Sequence, residues 1–380
     1  MKEKTNHPIL ELINICTGVT EFRGLQGREF YLNDIVGSSI LAMLSGAEDF
    51  TGMAEYCKEK KDFLCQFFKF SNKTPSHDQF RWIYANILPE EFMKCFTDWT
   101  AVMSKITKGE VIPIDGKVLR ATRNGSSVKS ALCIVSAWAS SNGMSLGQVK
   151  VDKKSNEITA IPKLLKLLDI KGGVISIDAM GTHPPIAQKI VDKEADYILA
   201  LKKNNRNFFV EVESFFNNFK DSKLIYDFTK QETKAHGRIE IRKCYIITAL
   251  AYIPDTANWP GLKSLICIES QRTINGKTTL ENRYYLSSLM ENAEQMLNKI
   301  IKHWSIENNL HWRLDVTFLE DNCRTSYKNC PENLAIARKI ALAILDADKT
   351  RIGGRNKRLK AAWNENYLTK LISSFINTLE

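Results

Sequence analysis

Two short runs constrain this chain more than any other feature. Val111-Ile112-Pro113-Ile114-Asp115-Gly116 and Val174-Ile175-Ser176-Ile177-Asp178-Ala179 are both apolar stretches that stop at an aspartate. Runs of this length, rich in Val and Ile, read as buried strands. Around them the texture alternates. SALCIVSAWAS and SLGQVKV read as strands joined at Ser141-Asn142-Gly143, and ITAIPKLLKLLD reads as an amphipathic helix opened by Asn156 or Thr159. PPIAQKIVDKEA is a helix and DYILAL a strand. The order β-β-β-α-β-α-β predicts a mixed α/β sheet. An Asp that closes a strand in such a sheet sits at the carboxyl edge, where open α/β sheets bind ligands. Two such strands side by side make their carboxylates converge.

Two aspartates within a few Å repel unless a cation lies between them. Hard oxygen donors select Mg²⁺ or Mn²⁺. The plainer alternative is that each Asp caps the turn or helix that follows it. A third candidate stretch is HWSIENNLHWRLDVTFLEDNCR, from His303 to Arg324. On a helix, His303, Glu307 and His311 share one stripe, with Trp304, Ile306, Leu310 and Leu314 as apolar contacts. Read alone, this Glu is either a site carboxylate or an interior charge paired with a neighbouring His or Arg. It lies outside any His-Glu-x-x-His zinc pattern.

The flanks differ in charge and period. Residues 1–105 have helical spacing at Ile35, Ile40, Leu41 and Leu44, a capping box from Ser76 to Gln79, and a helix opened by Pro89. The whole chain of 380 residues carries a formal charge of +10, but residues 1–105 net −2 and the remainder +12. A polyanionic partner for the later part follows as an expectation. Strands return over 238–286, with Asn275-Gly276 as a hairpin turn, and the chain is helical from Met290. Nine scattered cysteines without a Cys-x-x-Cys point to a reducing compartment rather than a zinc module. No secretion-type start or run of membrane-spanning length is present, so a cytoplasmic protein is expected. Gly276-Lys277-Thr278 lacks the upstream Gly of a P-loop, since position 271 is Gln, so no ATP use is expected.

VIPIDGKVLRATR, then IVSAWASSNGMSLGQVKVDKKSNEITAIPKLLKLLDIKGGVISIDAMGT, ADYILALKKNN, HGRIEIR, RYYLSSL and HWSIENNLHWRLDVTFLEDNCR, in this order, resemble an H-repeat-associated bacterial insertion-sequence transposase. PSHDQFRWIY, from Pro75 to Tyr84, is similar to a segment of that family's helical associated domain. The resemblance covers about residues 25–345. It implies a DDE-class enzyme with a ribonuclease-H-like mixed sheet flanked by helices, an all-β insertion before the last catalytic helix, and an N-terminal helical domain. The implied division is 1–105 helical, 106–346 catalytic with the β insertion at about 207–289, and 347–380 a basic C-terminal tail or helix.

Carried over by position, the resemblance makes Asp115, Asp178 and Glu307 the catalytic carboxylates, holding two Mg²⁺ or Mn²⁺ ions. The implied reaction is hydrolysis at the element's ends, then strand transfer by the freed 3′-OH. A nuclease that only hydrolyses and an inactive DNA-binding relic are the alternatives. Related enzymes often carry Tyr-x2-Arg-x3-Glu-x6-Lys around the Glu. Here Ile300, His303 and Leu314 stand at the other three positions. Double-stranded DNA is the expected partner, bound by a homodimer or larger assembly, with no membrane. The residues expected to meet it are Lys117, Arg120, Lys202, Lys203, Arg206, His236, Arg238, His303, His311, Arg313 and Arg324, with Arg123 and Arg242 nearby.

Overall fold

The computed structural model describes residues 7–378, apart from 15–16, 25, 27, 71–72, 102–107, 123–130, 142, 153–155, 220–221 and 236. Six helices come first: α1 (Pro8–Asn14), α2 (Leu32–Leu44), α3 (Phe50–Glu59), α4 (Lys61–Leu64), α5 (His77–Asn86) and α6 (Pro89–Ala101). The expected capping box opens α5, where Ser76 and Gln79 satisfy each other's backbone N–H groups. The alternating segment follows: β1 (Val111–Leu119), β2 (Leu132–Ala139), β3 (Met144–Lys150), α7 (Glu157–Leu167), β4 (Val174–Ile177), α8 (Pro184–Asp192) and β5 (Asp196–Leu201). This is the predicted order, and Asn156 caps α7.

Next come α9 (Arg206–Phe219), β6 (Asp227–Ala235), β7 (Arg238–Ile247), β8 (Ser264–Ile274) and β9 (Lys277–Ser287). The strands form one nine-stranded mixed sheet in the order β3-β2-β1-β4-β5-β9-β8-β7-β6. β1 runs parallel to β4 and β4 parallel to β5, while β2, β3 and the last four strands pair antiparallel. Asn275 and Gly276 both take positive φ, as a two-residue hairpin turn requires.

The expected all-β insertion at 207–289 needs two corrections. It opens with a helix, because RNFFVEVESFFNNF puts Phe208, Val212, Phe215 and Phe216 on one buried face at spacings of three and four. Its strands also extend the main sheet, since β9 pairs with β5 from Ile198↔Ser287 to Leu201↔Tyr284.

The remaining elements are α10 (Ala293–His303), α11 (Trp312–Phe318), α12 (Cys330–Ala347), α13 (Gly354–Trp363) and α14 (Glu365–Ile376). One face of the sheet buries Ile112, Ile114, Ile175 and Tyr197 against Ile161, Leu164 and Ile186 of α7 and α8. The other buries Ile198, Ile246 and Ile266 against Met296, Leu297 and Ile300 of α10. A separate core joins α1–α6 to α11, α12 and α14.

The basic C-terminal segment takes the helical of its two expected forms, because α13 and α14 seat on the N-terminal helices and two of the cations of α13 point inward. Lys357 donates to the carbonyls of Leu345 (2.8 Å) and Asp348 (2.5 Å). Arg358, 4% exposed, donates to the carbonyls of Met43 (2.7 Å), Ala47 (2.9 Å) and Thr317. Burial lowers its pKa to about 10. Replacing Arg358 by Ala removes three hydrogen bonds from the charged guanidinium to backbone carbonyls and is expected to cost about 3 kcal/mol, read as a lower urea midpoint. Among the described residues, no helix is long and apolar enough to cross a membrane.

Candidate active site

The two aspartates meet as expected, with one change of detail. β4 stops at Ile177, but β1 runs on through Asp115 to Leu119. Asp115 and Asp178 both lie one step beyond the last parallel pair, Ile114↔Ile177, so they stand level on strands about 4.8 Å apart. The capping reading also holds for Asp178, whose Oδ1 accepts the Met180 N–H at 2.9 Å and closes the 3₁₀ turn Ala179–Gly181. Gly181 lets that turn seat, because a Cβ there would lie 2.5 Å from both Ile161 and Ile177.

Glu307 arrives on a different kind of helix than the spacing predicts. α10 ends at His303, and Glu307–His311 form a π-helical turn ahead of α11. Such turns recur at functional sites because they re-aim side chains. His303 donates to or accepts from Ser176 Oγ at 2.9 Å on β4. His311 Nε2 stands 3.3 Å from Asp115 Oδ2, a charge-pair distance without hydrogen-bond alignment. Burial pushes the Asp115 carboxyl up, but the His311 imidazole more than offsets it and holds the group below its usual range. His303 is the converse case. Burial lowers its pKa, although Asp115, Asp178 and Glu307 all pull the other way. One imidazole thus feels the whole triad.

A fourth carboxylate stands close by, and the strand-end pattern gave no hint of it. Glu157, the first residue of α7, is pushed up to about 7 by burial and then by Asp115 and Asp178.

Asp178, Glu307, His303 and Trp304 line a cavity of about 560 Å³. Its far wall is one face of the sheet extension: Arg238, Glu240 and Arg242 on β7, Arg272 on β8, and Glu281, Arg283 and Tyr285 on β9. The period of two along each strand puts these side chains on the same side. Arg242 and Arg283 pair with Glu240 (2.8 Å) and Glu281 (2.9 Å) and lie 5.7 and 5.3 Å from the centre of the Trp304 ring. Arg238 and Arg272 have no carboxylate at ion-pair distance among the described residues, and Lys202 joins them from the end of β5. Arg272 and Arg283 escape sequence reading because they lie about a hundred residues from Asp178, and only the strand pairing turns them towards it.

The other expected DNA contacts divide. Lys203 and Arg206 are exposed beside Lys202, and Arg120 is exposed just past β1. Arg324 is exposed but lines a different cleft, with Arg81 and Tyr327. His236 and Arg123 lie outside the described residues. Two expectations do not fit. Arg313 is held by both carboxylate oxygens of Asp346, one of them at 2.5 Å. Lys117 is 12% exposed and reaches Asp315 (2.5 Å), Glu320 (3.0 Å) and Asp321 (3.8 Å). Both cations hold α11 and the turn after it in place, and neither is free for a phosphate.

The donor chemistry suits a hard divalent ion: the acidic groups here are all carboxylates, and burial pushes the one neighbouring thiol, Cys133, up to about 11. Among the described residues, no three such groups yet converge at ion-binding distance.

Asp178 and Glu307 on a cavity walled by arginines, with Asp115 level with Asp178 on the neighbouring parallel strand, fit a phosphoryl-transfer enzyme for a polyanionic substrate. The chain belongs to the DDE transposase family. The family described as "Transposase DDE domain" matches residues 106–344, and "DDE_Tnp_1-associated" matches 13–100. Domains of this family use divalent metal ions. Among its relatives, "Putative protein YbfL" and "H repeat-associated putative transposase YhhI" of Escherichia coli K12 are each 36% identical over 375 residues. Each alignment spans 96% of this chain and 97% of the relative. A piggyBac transposase synaptic complex with hairpin DNA overlaps with a TM-score of 0.46 at 10% identity, covering 98% of this chain and 82% of that one. This likeness is too loose to bear on function.

Proposed function

We propose that the protein cuts the ends of an insertion element and joins the freed 3′-OH to target DNA, on a ribonuclease-H-like core built from β1–β5 and their helices. The observation that carries this reading is the shared cavity: Asp178 and Glu307 open onto the same space as Arg238, Arg272 and Lys202, and Asp115 stands level with Asp178 one strand away. Asp115, Asp178 and Glu307 would hold two Mg²⁺ or Mn²⁺ ions, which supply Lewis-acid activation of the attacking oxygen and charge relief for the leaving one.

The chain's own groups do the rest. Lys202, Arg238 and Arg272 receive the backbone phosphates as a charged wall that fixes register without reading sequence. Glu240 and Glu281 orient Arg242 and Arg283, so these two guanidinium groups meet a phosphate in a set plane. No side chain needs to become covalently attached to DNA, because water and then a 3′-OH serve as nucleophiles. The two ends of an element call for at least two copies of the chain, working in the cytoplasm at the nucleoid.

Supercoiled plasmid incubated with pre-cut element ends and Mg²⁺ tests the reading. Joined products are expected, and fragments without joining would leave only a nuclease. Changing Arg272 or Arg283 to Ala is expected to weaken DNA binding equally across sequences and to lower the salt slope of log K by about 1 each, measured by anisotropy.

A further inference from the structure

Gly116 follows Asp115 on β1, and its missing side chain is filled by another residue. A Cβ built there would lie 2.0 Å from Glu157 Oε1 and 2.5 Å from its carboxyl carbon. The Glu157 carboxylate therefore rests on the β1 backbone, one residue from Asp115. Glu157 opens α7, the helix whose Ile161 packs on Gly181 in the turn that follows Asp178. Asp115 and Asp178 are the charges that act on Glu157, and both repel it. Among the described residues, no Lys or Arg pairs with Glu157. Its sole near partner there is the Cys133 thiol, 4.0 Å from Oε1. Asn156 caps the helix at the residue before, which fixes where Glu157 starts. A half-buried carboxylate seated on the backbone beside Asp115, with no cation paired to it among the described residues, lacks a counter-charge.

We infer that Glu157 is a fourth metal-holding carboxylate of this centre, admitted to it by Gly116. The inference rests on the metal-centre reading above. It gives a reason for Gly at position 116: any side chain there would drive the carboxylate off the strand. Glu157 stands on the helix that crosses from β3 to β4, so metal binding ties α7 to the two aspartate strands.

Mn²⁺ alone is the probe, titrated into the full chain at pH 7.5 and read by calorimetry and by the signal of free Mn²⁺ in electron paramagnetic resonance. Glu157→Gln keeps the shape and removes the charge, and is expected to weaken Mn²⁺ binding about tenfold or more. Gly116→Ala keeps the charge and displaces it, and is expected to weaken binding in the same direction. Cleavage by Glu157→Gln should also need more Mg²⁺ and recover when Mg²⁺ is raised. Wild-type Mn²⁺ affinity in Glu157→Gln, beside lost affinity in Asp115→Asn, would overturn this inference and leave the three-carboxylate centre standing. Wild-type affinity in Asp115→Asn as well would overturn both. Thermal unfolding in EDTA separates misfolding from lost binding: Glu157→Gln should unfold no earlier than wild type, since it relieves repulsion.

Discussion

Asp115→Asn and Glu307→Gln are each expected to stop cleavage and strand transfer, by about a thousandfold or more, while the protein still folds and still binds DNA. The size follows from the chemistry. Losing a carboxylate that places a divalent ion removes several kcal/mol of transition-state charge stabilisation, and each 1.36 kcal/mol is tenfold in rate. The sparing of the fold follows from the structure. Asp115 is held below its usual range with His311 as its partner at 3.3 Å, so the amide loses that attraction, but it keeps the shape of the side chain and relieves the repulsion with Glu157. Glu307 is exposed to the cavity, and its side chain makes no hydrogen bond among the described residues. DNA affinity should persist because Lys202, Arg238 and Arg272 are untouched. Cleavage of a labelled element end at saturating Mg²⁺, with binding measured on the same sample, checks this. Residual cleavage within tenfold of wild type in either variant would remove that residue from the triad.

Lys117→Met is expected to cost about 3 kcal/mol of stability. The cation lies between Asp315, Glu320 and Asp321, and Glu320 is 2% exposed. With Met in its place, Glu320 keeps only the weaker pull of Arg338 and Lys339. In the wild type, burial raises the Glu320 carboxyl, but Lys117 with Arg338 and Lys339 brings it below its ordinary value. A depressed carboxyl contributes stability that is present above the unfolded pKa and lost as pH falls through the folded one. In the variant the sign reverses: burial leaves the folded carboxyl raised, and protonation relieves the penalty. The two stability curves should therefore draw together as pH falls from 7 towards 4. A gap that stays constant over that range would show that Glu320 is not the stranded charge. Glu320→Gln in the Lys117→Met background should recover most of the loss, a coupling that a double-mutant cycle reads directly. Because Lys117 also anchors the segment following Glu307, cleavage should fall further than stability alone requires.

The alternating segment was legible because each of its elements declares itself locally. Apolar runs of four or five residues with β-branching mark β1, β4 and β5, and spacing of three and four marks α7 and α8. The helix α9 was equally legible from Phe208, Val212, Phe215 and Phe216, and the reading passed over it. The charges were the harder part. Lys117, Arg313, Lys357 and Arg358 look in sequence like any surface cations, and tertiary contacts alone show that they face inward.

By itself, then, the sequence determined that the strands carrying Asp115 and Asp178 share one α/β sheet, because periodicity and strand length are local properties of the chain, whereas Glu307 is joined to them only by the family resemblance. Only the tertiary structure decided what each side chain faces. It turned Lys117 to carboxylates some two hundred residues away and folded the last two helices onto the first. It also aimed Arg272 and Arg283 at the cavity, and brought Glu157 against Gly116. A period tells which residues share a face, but the partner of that face is fixed by topology, through contacts that no local spacing encodes.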